Sequence, residues 1–249
     1  MLKVEHLTKV YDGGVLALED VSFEVPDGEF LAIIGLSGSG KSTLLRCVNR
    51  LIEPTEGRIT WHGEDITAAS QDEMRRIRRR IGMVFQHFNL VNRSSVLTNV
   101  LAGRLGYSNP ATSLIHRFSE ADVTKAHETL ALVGIADKVH SRADELSGGQ
   151  QQRVGIARAL MQDPEMILAD EPVASLDPVL AHSIMQYLDL IQKRGVTVLC
   201  SLHFLDLVQA YADRAIALND GRLMFDGTPV EIDDKKFKEI YGQEAERIG

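Results

Sequence analysis

Short apolar runs, each cut off by glycine, acid or a polar turn, punctuate this chain. Phe30-Leu31-Ala32-Ile33-Ile34, Ile81-Gly82-Met83-Val84-Phe85, Met166-Ile167-Leu168-Ala169 and Val196-Thr197-Val198-Leu199-Cys200-Ser201 are too short for buried helices and read as buried strands. Helical spacing fills the gaps. Leu44, Leu45, Val48, Leu51 and Ile52 form one apolar stripe, Val123, Ala126, Leu130 and Val133 a second, and Val154, Ala157, Leu160 and Met161 a third. Buried strands interleaved with amphipathic helices predict an α/β fold. The N-terminal region differs. Residues 2–10 alternate loosely, Tyr11-Asp12-Gly13-Gly14 supplies a turn, and Ala17-Leu18 with 21–25 makes a second strand closed by Pro26-Asp27-Gly28. A loop at 53–57 leads into a further strand and turn at 58–63. The strands over 2–10 and 17–25 predict an antiparallel β region laid before the segment 35–43. Near the other end, Asn219-Asp220-Gly221 between two apolar runs is a hairpin signal, and the charged tail from Asp233 reads as a helix.

Between residues 87 and 145 the strand signals stop. Polar loops at 92–95 and 103–113 alternate with amphipathic stretches, of which 121–133 is the clearest helix. The chain therefore reads as a single domain over 1–249, with a core from 1–86 and 161–249 and a helical subdomain inserted at 87–160.

Composition narrows the picture. At 249 residues and 44% apolar content the chain can fill a real core. Twenty-seven basic against 35 acidic residues leave a net charge of −8, which argues against nucleic-acid binding over the whole surface. The one dense basic run, Arg75, Arg76, Arg78, Arg79 and Arg80, adjoins Asp72 and Glu73 and reads as a solvated helix face. Cys47 and Cys200 fall in predicted core elements and read as free thiols. Glu5 and His6 interrupt the place where a signal peptide needs an apolar run, and no stretch approaches 18 uninterrupted apolar residues, so a soluble chain is expected.

The chemistry concentrates at Gly35-Leu36-Ser37-Gly38-Ser39-Gly40-Lys41-Ser42-Thr43, between a strand and a helix. Glycines let backbone N–H groups wrap a polyphosphate, and the helix N-terminus adds about half a positive charge there. Lys41 can reach the outer phosphates and the Ser42 hydroxyl can ligate Mg²⁺. Leu146-Ser147-Gly148-Gly149-Gln150 opens another helix. Read alone it is a cap; its geometry also suits an anion. Asp170-Glu171 ends a buried strand, where one carboxylate can hold Mg²⁺ and the other can deprotonate water. Asp177 before Pro178 has the form of a helix N-cap. Tyr11 suits either a half-buried strand position or a stack on a nucleobase, while Gln86 and His203, each just past a strand, are unremarkable in isolation.

Taken in this order, the pieces resemble the ATP-binding cassette ATPases of membrane transporters, over essentially the whole chain. Residues 35–43 match the Walker A motif, Gln86 the Q-loop, 146–150 the LSGGQ signature, and 166–171 Walker B with its glutamate. Ser175-Leu176-Asp177 matches the D-loop, His203 the switch histidine and Tyr11 the aromatic A-loop. The resemblance implies an ATP- and Mg²⁺-dependent ATPase with Glu171, His203 and Gln86 as catalytic residues and Ser42, Gln86 and Asp170 around the metal. It implies a head-to-tail pair of identical chains, with Ser147, Gly148, Gly149, Gln150 and Asp177 of one copy completing the nucleotide site of the other. Two membrane permeases docked on the helical insert would place the pair on the cytoplasmic face of the membrane. A closer similarity, through 85–91, 93–101, 103–107, 142–145 and 169–178, is to phosphonate importer ATPases, implying an extracytoplasmic phosphonate-binding protein. Phosphite and hypophosphite importers carry similar subunits. A nucleic-acid clamp would need a long coiled coil or basic arm, and a small-molecule kinase has no use for LSGGQ.

Overall fold

The computed structural model describes residues 1–107 and 118–241. These residues form two sheets. Strands β1 (Leu2–Val10), β2 (Leu16–Val25), β4 (Glu56–Trp61) and β5 (Glu64–Asp65) make an antiparallel sheet in the order β2-β1-β4-β5. Strands β3 (Phe30–Ile34), β6 (Ile81–Val84), β7 (Met166–Ala169), β8 (Thr197–Ser201), β9 (Arg214–Asn219) and β10 (Arg222–Gly227) make the second, ordered β10-β9-β3-β8-β7-β6. All neighbours in it are parallel except the β9–β10 hairpin. The α/β fold with an antiparallel region is thus as the sequence pattern predicts.

Unbroken apolar runs in β3, β6, β7 and β8 follow from this placement, because both faces of the parallel sheet are covered. Leu31, Ile33, Leu168, Leu199, Ile216 and Leu218 join a core with the antiparallel sheet and with helix α1 (Lys41–Val48). Their strand neighbours Phe30, Ala32, Ile34, Ile167, Ala169, Val198 and Cys200 face a second core. That core receives α3 (Val96–Leu101), α4 (Glu120–Leu132), α5 (Gly148–Leu160), α6 (Pro178–Gln192) and α7 (Leu205–Tyr211). Both clusters are continuous, and Trp61, Phe30, Leu44 and Val154 are fully or almost fully excluded from water.

Local signals end these elements where chemistry requires. Ser70 and Glu73 form a capping box for α2 (Gln71–Arg79), and Ser119 caps α4 through the Asp122 N–H. Asp220 (φ +44°) and Gly221 (φ +78°) turn the β9–β10 hairpin. A last helix, α8 (Asp234–Tyr241), matches the helical reading of the tail; residues 242–249, and 108–113 of the expected polar loop, lie outside the described residues. No helix among the described residues is long and apolar enough to cross a membrane.

Three expectations need correction. The apolar stripe expected to run on to Leu51 and Ile52 stops with α1 at Val48, and Leu51 lies beyond the helix, half exposed. The basic run is only partly a solvated face. Arg75 is exposed, but Arg78 turns inward to donate to the carbonyls of Asn49 and Arg50. Arg80 pairs with Glu165 and lies over the Trp61 ring at 4.5 Å. Helix α1 leaves those two carbonyls without intrahelical partners, and the planar fork of one guanidinium reaches both. The loop expected at 53–57 gives way at Glu56, because β1 pairs there through Thr8. Both cysteines are free and buried, as expected, and burial pushes the Cys47 thiol up to about 12.

Candidate functional site

The parallel strands β3, β8, β7 and β6 lie side by side and all end at the same edge of the sheet. Open α/β sheets bind ligands at such an edge. Residues 35–40 leave β3 there, Asp170 and Glu171 leave β7, His203 follows β8 and half-buried Gln86 follows β6.

The loop after β3 is held from outside. Gly35 has φ +142°, and a Cβ on it would stand 2.2 Å from the Leu218 carbonyl oxygen of β9. Gly40, the N-cap of α1, has φ +106°, and its Cβ would stand 2.5 Å from the Ala17 carbonyl oxygen of β2. Only glycine permits both the backbone angle and the approach. The Gly221 N–H of the hairpin turn donates to the Ser39 carbonyl at 3.2 Å, so the loop is gripped by β2 and by the β9–β10 turn. Ser37 and Gly38 remain exposed at its tip, while Ser39 is buried. The α1 N-terminus opens beneath the loop with no side chain capping it, leaving its N–H groups to a ligand.

Lys41 is almost fully buried, and its Nζ donates to the carbonyls of Gly35 and Leu36, each at 2.9 Å. Burial lowers its pKa, and the negative charges of Glu171 and Asp170 oppose that shift. Nζ stands 3.9 Å from Glu171 Oε1. The Lys41 ammonium is thus curled onto its own loop, beside the acids and within the space an anion would share.

Around Asp170 three donors converge. The Ser42 hydroxyl donates to Oδ1 at 2.7 Å, Arg46 Nη2 to Oδ2 at 3.1 Å, and the Ser201 hydroxyl to Oδ1 at 3.3 Å. Asp170 is 2% exposed, so this satisfaction is required rather than incidental. The next residue, Glu171, adopts φ +47°. Its N–H donates to Ser201 Oγ at 2.8 Å, and its Oε1 lies 2.6 Å from His203 Nε2. A carboxylate in contact with an imidazole, next to a second, fully ligated carboxylate, can accept a proton from water at a phosphate.

Tyr11 stands at the rim, with its hydroxyl 3.2 Å from Thr43 Oγ1 and Lys9 Nζ 5.2 Å from its ring centroid. Its ring is more than a third exposed, available as a stacking platform.

The remaining predicted residues lie on other helices and bond locally. Ser147 caps α5 by accepting from the Gln150 N–H, while the Gln150 side chain accepts from the Ser147 N–H at 3.0 Å. Gly149 faces α6, where a Cβ would meet Leu180 Cδ1 at 2.9 Å; at Gly148 it would meet Phe88 Cζ at 3.7 Å. Asp177 caps α6 through the Leu180 N–H, with Pro178 opening the helix. Within one chain these residues make no hydrogen bond to the loop at 35–40 among the described residues.

Two contributors escape a reading of the sequence alone. Arg46 stands one helical turn after Ser42, on the same face, and that i, i+4 spacing was its signal. Ser201 ends an otherwise apolar strand, and a hydroxyl there was the hint.

Residues 18–174 match the ABC transporter family. The chain is 54% identical, over all of its own length and 96% of the relative's, to the phosphonates import ATP-binding protein of Bdellovibrio bacteriovorus. It is 51% identical to the protein of the same name from Nitratidesulfovibrio vulgaris, over 98% of this chain and 92% of that one. Among solved structures, a dimeric ATP-binding cassette in a post-hydrolysis state bound to ADP and Pi is 35% identical. The match has a TM-score of 0.82 and covers 92% of this chain and 99% of that one.

Proposed function

The chain belongs to the ABC transporter family, and from that membership we propose that it is the ATP-hydrolysing subunit of a phosphonate importer. The observation that carries hydrolysis is the Glu171 carboxylate, held 2.6 Å from His203 and 3.9 Å from Lys41 beside Asp170. The cargo rests on identities near 50% to phosphonate import subunits over the full chain.

In this reading the loop at 35–43 cradles the triphosphate with its N–H groups, and Lys41 exchanges Gly35 and Leu36 for phosphate oxygens. Tyr11 stacks on the base. Mg²⁺ suits the adjoining oxygens: Ser42 Oγ and Asp170 Oδ1 are 2.7 Å apart, and a hard cation taking few protein ligands plus phosphate oxygens needs no more. Ser42, Asp170 and Gln86 would hold it, and when bound it offsets charge on the terminal phosphates. Glu171 takes the proton of the attacking water, and His203 holds the carboxylate in place.

The site is completed by a second copy. Ser147, Gly148, Gly149 and Gln150 of one chain face the nucleotide held by the other, and Asp177 lies along that seam. Nucleotide bound by both chains favours the closed pair, and hydrolysis removes the shared phosphate; binding that differs between two states is what a transport cycle requires. The helical unit at 87–160, linked to the site by Gln86, receives two membrane permeases, placing the pair peripherally on the cytoplasmic face. An extracytoplasmic binding protein delivers the phosphonate.

The test is reconstitution of the chain with its two permeases and binding protein in proteoliposomes, measuring ATP hydrolysis with methylphosphonate, phosphite or phosphate present. Stimulation by the phosphonate is expected. Stimulation by phosphite alone would reassign the cargo, and none by any oxyanion would refute the import reading.

A further inference from the structure

Ser201 closes β8 and is fully buried. The residues before it, Val198, Leu199 and Cys200, are apolar and equally buried, so a hydroxyl at this depth must be fully used. It is used in both directions. Ser201 Oγ accepts the Glu171 N–H at 2.8 Å and donates to Asp170 Oδ1 at 3.3 Å. One hydroxyl therefore spans the two consecutive acids of the site.

What it spans is an unusual stretch of backbone. Glu171 has φ +47°, in the left-handed region that a glutamate seldom enters. Such a conformation persists only where surrounding contacts over-determine it. On one side, the Asp170 N–H is fixed to the Val84 carbonyl at 2.9 Å, through β6. On the other, the Glu171 N–H is fixed to Ser201, through β8. Asp170 itself has two further donors, Ser42 and Arg46, and does not depend on Ser201. Among the described residues the Glu171 amide has no such reserve.

We propose that Ser201 is a positioning residue for hydrolysis, acting through the Glu171 backbone. By holding the left-handed Glu171, it keeps the carboxylate at His203 and aimed where water attacks. This rests on the reading of Glu171 as general base. Ser201 lies outside the phosphate loop, and the Ser42 contact to Asp170 survives without it. Its loss should therefore fall on kcat and spare nucleotide binding.

The experiment compares Ser201→Ala, Ser201→Cys and Ser201→Thr in the reconstituted transporter, with Glu171→Gln measured alongside. Amide hydrogen exchange at Glu171 is followed in the same protein. Ser201→Ala and Ser201→Cys should each lower kcat about tenfold, the effect of an approximately 1.4 kcal/mol loss of positioning. KM for Mg·ATP should stay within about twofold of its starting value, since uniform binding is untouched. Exchange at the Glu171 amide should accelerate, and Ser201→Thr, which keeps the hydroxyl, should restore kcat to within about threefold. In single turnovers, Ser201→Ala should cost nothing further when combined with Glu171→Gln. Wild-type kcat in both Ser201→Ala and Ser201→Cys, with Glu171→Gln inactive, would overturn this proposal and leave the general base standing. An equal further loss in the Glu171→Gln background would overturn it in favour of a packing role. Undiminished turnover in Glu171→Gln itself would remove the base reading first.

Discussion

Glu171→Gln changes one oxygen to an amide nitrogen without altering shape, so its effects isolate charge and basicity. The backbone bond from the Glu171 N–H to Ser201 is unaffected, and the amide can still meet His203. Losing the base costs about 10²–10⁴ in rate, or roughly 3–5 kcal/mol of barrier. The second effect has the opposite sign. Glu171 Oε1 and Lys41 Nζ are 3.9 Å apart, and the two side chains are 15% and 3% exposed. Unit charges about 4 Å apart attract by about 4 kcal/mol at an effective dielectric near 20. Neutralising the acid releases that field toward a bound polyphosphate, and even a third of it amounts to about tenfold in affinity. We therefore expect steady-state phosphate release in the reconstituted transporter to fall by at least about a hundredfold. Calorimetric ATP affinity should stay equal or rise toward about tenfold tighter, and light scattering should detect a stable pair. Normal turnover would refute the assignment of the base. Markedly weaker ATP binding would refute the electrostatic account of Lys41.

Three other substitutions probe different layers. Gly35→Ala places a Cβ 2.2 Å from the Leu218 carbonyl and 2.6 Å from Ser39 Oγ at φ +142°. Strain of about 1–3 kcal/mol should lower Tm by several degrees and weaken ATP binding; an unchanged melting curve and Kd would show the loop to be free of the hairpin. Ser147→Arg removes the α5 capping box, costing about 1 kcal/mol. It should leave ATP binding by the single chain intact while abolishing the pair trapped by Glu171→Gln; a persistent pair in light scattering would contradict the head-to-tail arrangement. Glu165 has its pKa held below the usual carboxylate range, first by the hydrogen bond from Arg80 and also by the Arg80 and His62 charges. A depressed folded value gives stability that is present above the unfolded value, about 4.3, and lost as pH falls through the folded one. Because Glu165 is nearly half exposed, Glu165→Gln should cost under about 1 kcal/mol at pH 7. The gap in urea midpoints between the two proteins should narrow as pH falls below the unfolded value; a gap of constant size would mean that the charge is irrelevant.

Much of this molecule was legible in its residues because the informative ones act locally. Gly35, Gly38 and Gly40 declare a loop by their lack of side chains, and Asp177-Pro178 declares a cap within two residues. The uninterrupted apolar runs of β3, β7 and β8 announce burial on both faces. What was not legible depends on distant partners. Nothing in the run around Arg78 says that the carbonyls of Asn49 and Arg50 will end beside it. The contact between Glu171 and His203 joins residues 32 positions apart, and nothing in the spacing announces it. Ser201 looked like the end of a strand until the fold set it against β7.

Helix α5 runs through the second core, and its two ends answer to different neighbours. Toward its C-terminus Ala159 sits against β6, so close that a Cβ at Gly82 would lie 3.2 Å from the alanine methyl. At the other end Ser147, the second residue of LSGGQ, caps the helix. Thirteen helical residues make a stiff rod about 20 Å long. With the sheet as fulcrum, tilting that rod by about ten degrees swings its serine tip by about 3 Å, roughly the length of a hydrogen bond. A small change of angle where the helix meets the sheet therefore amounts to a displacement of hydrogen-bond length at the Ser147 end.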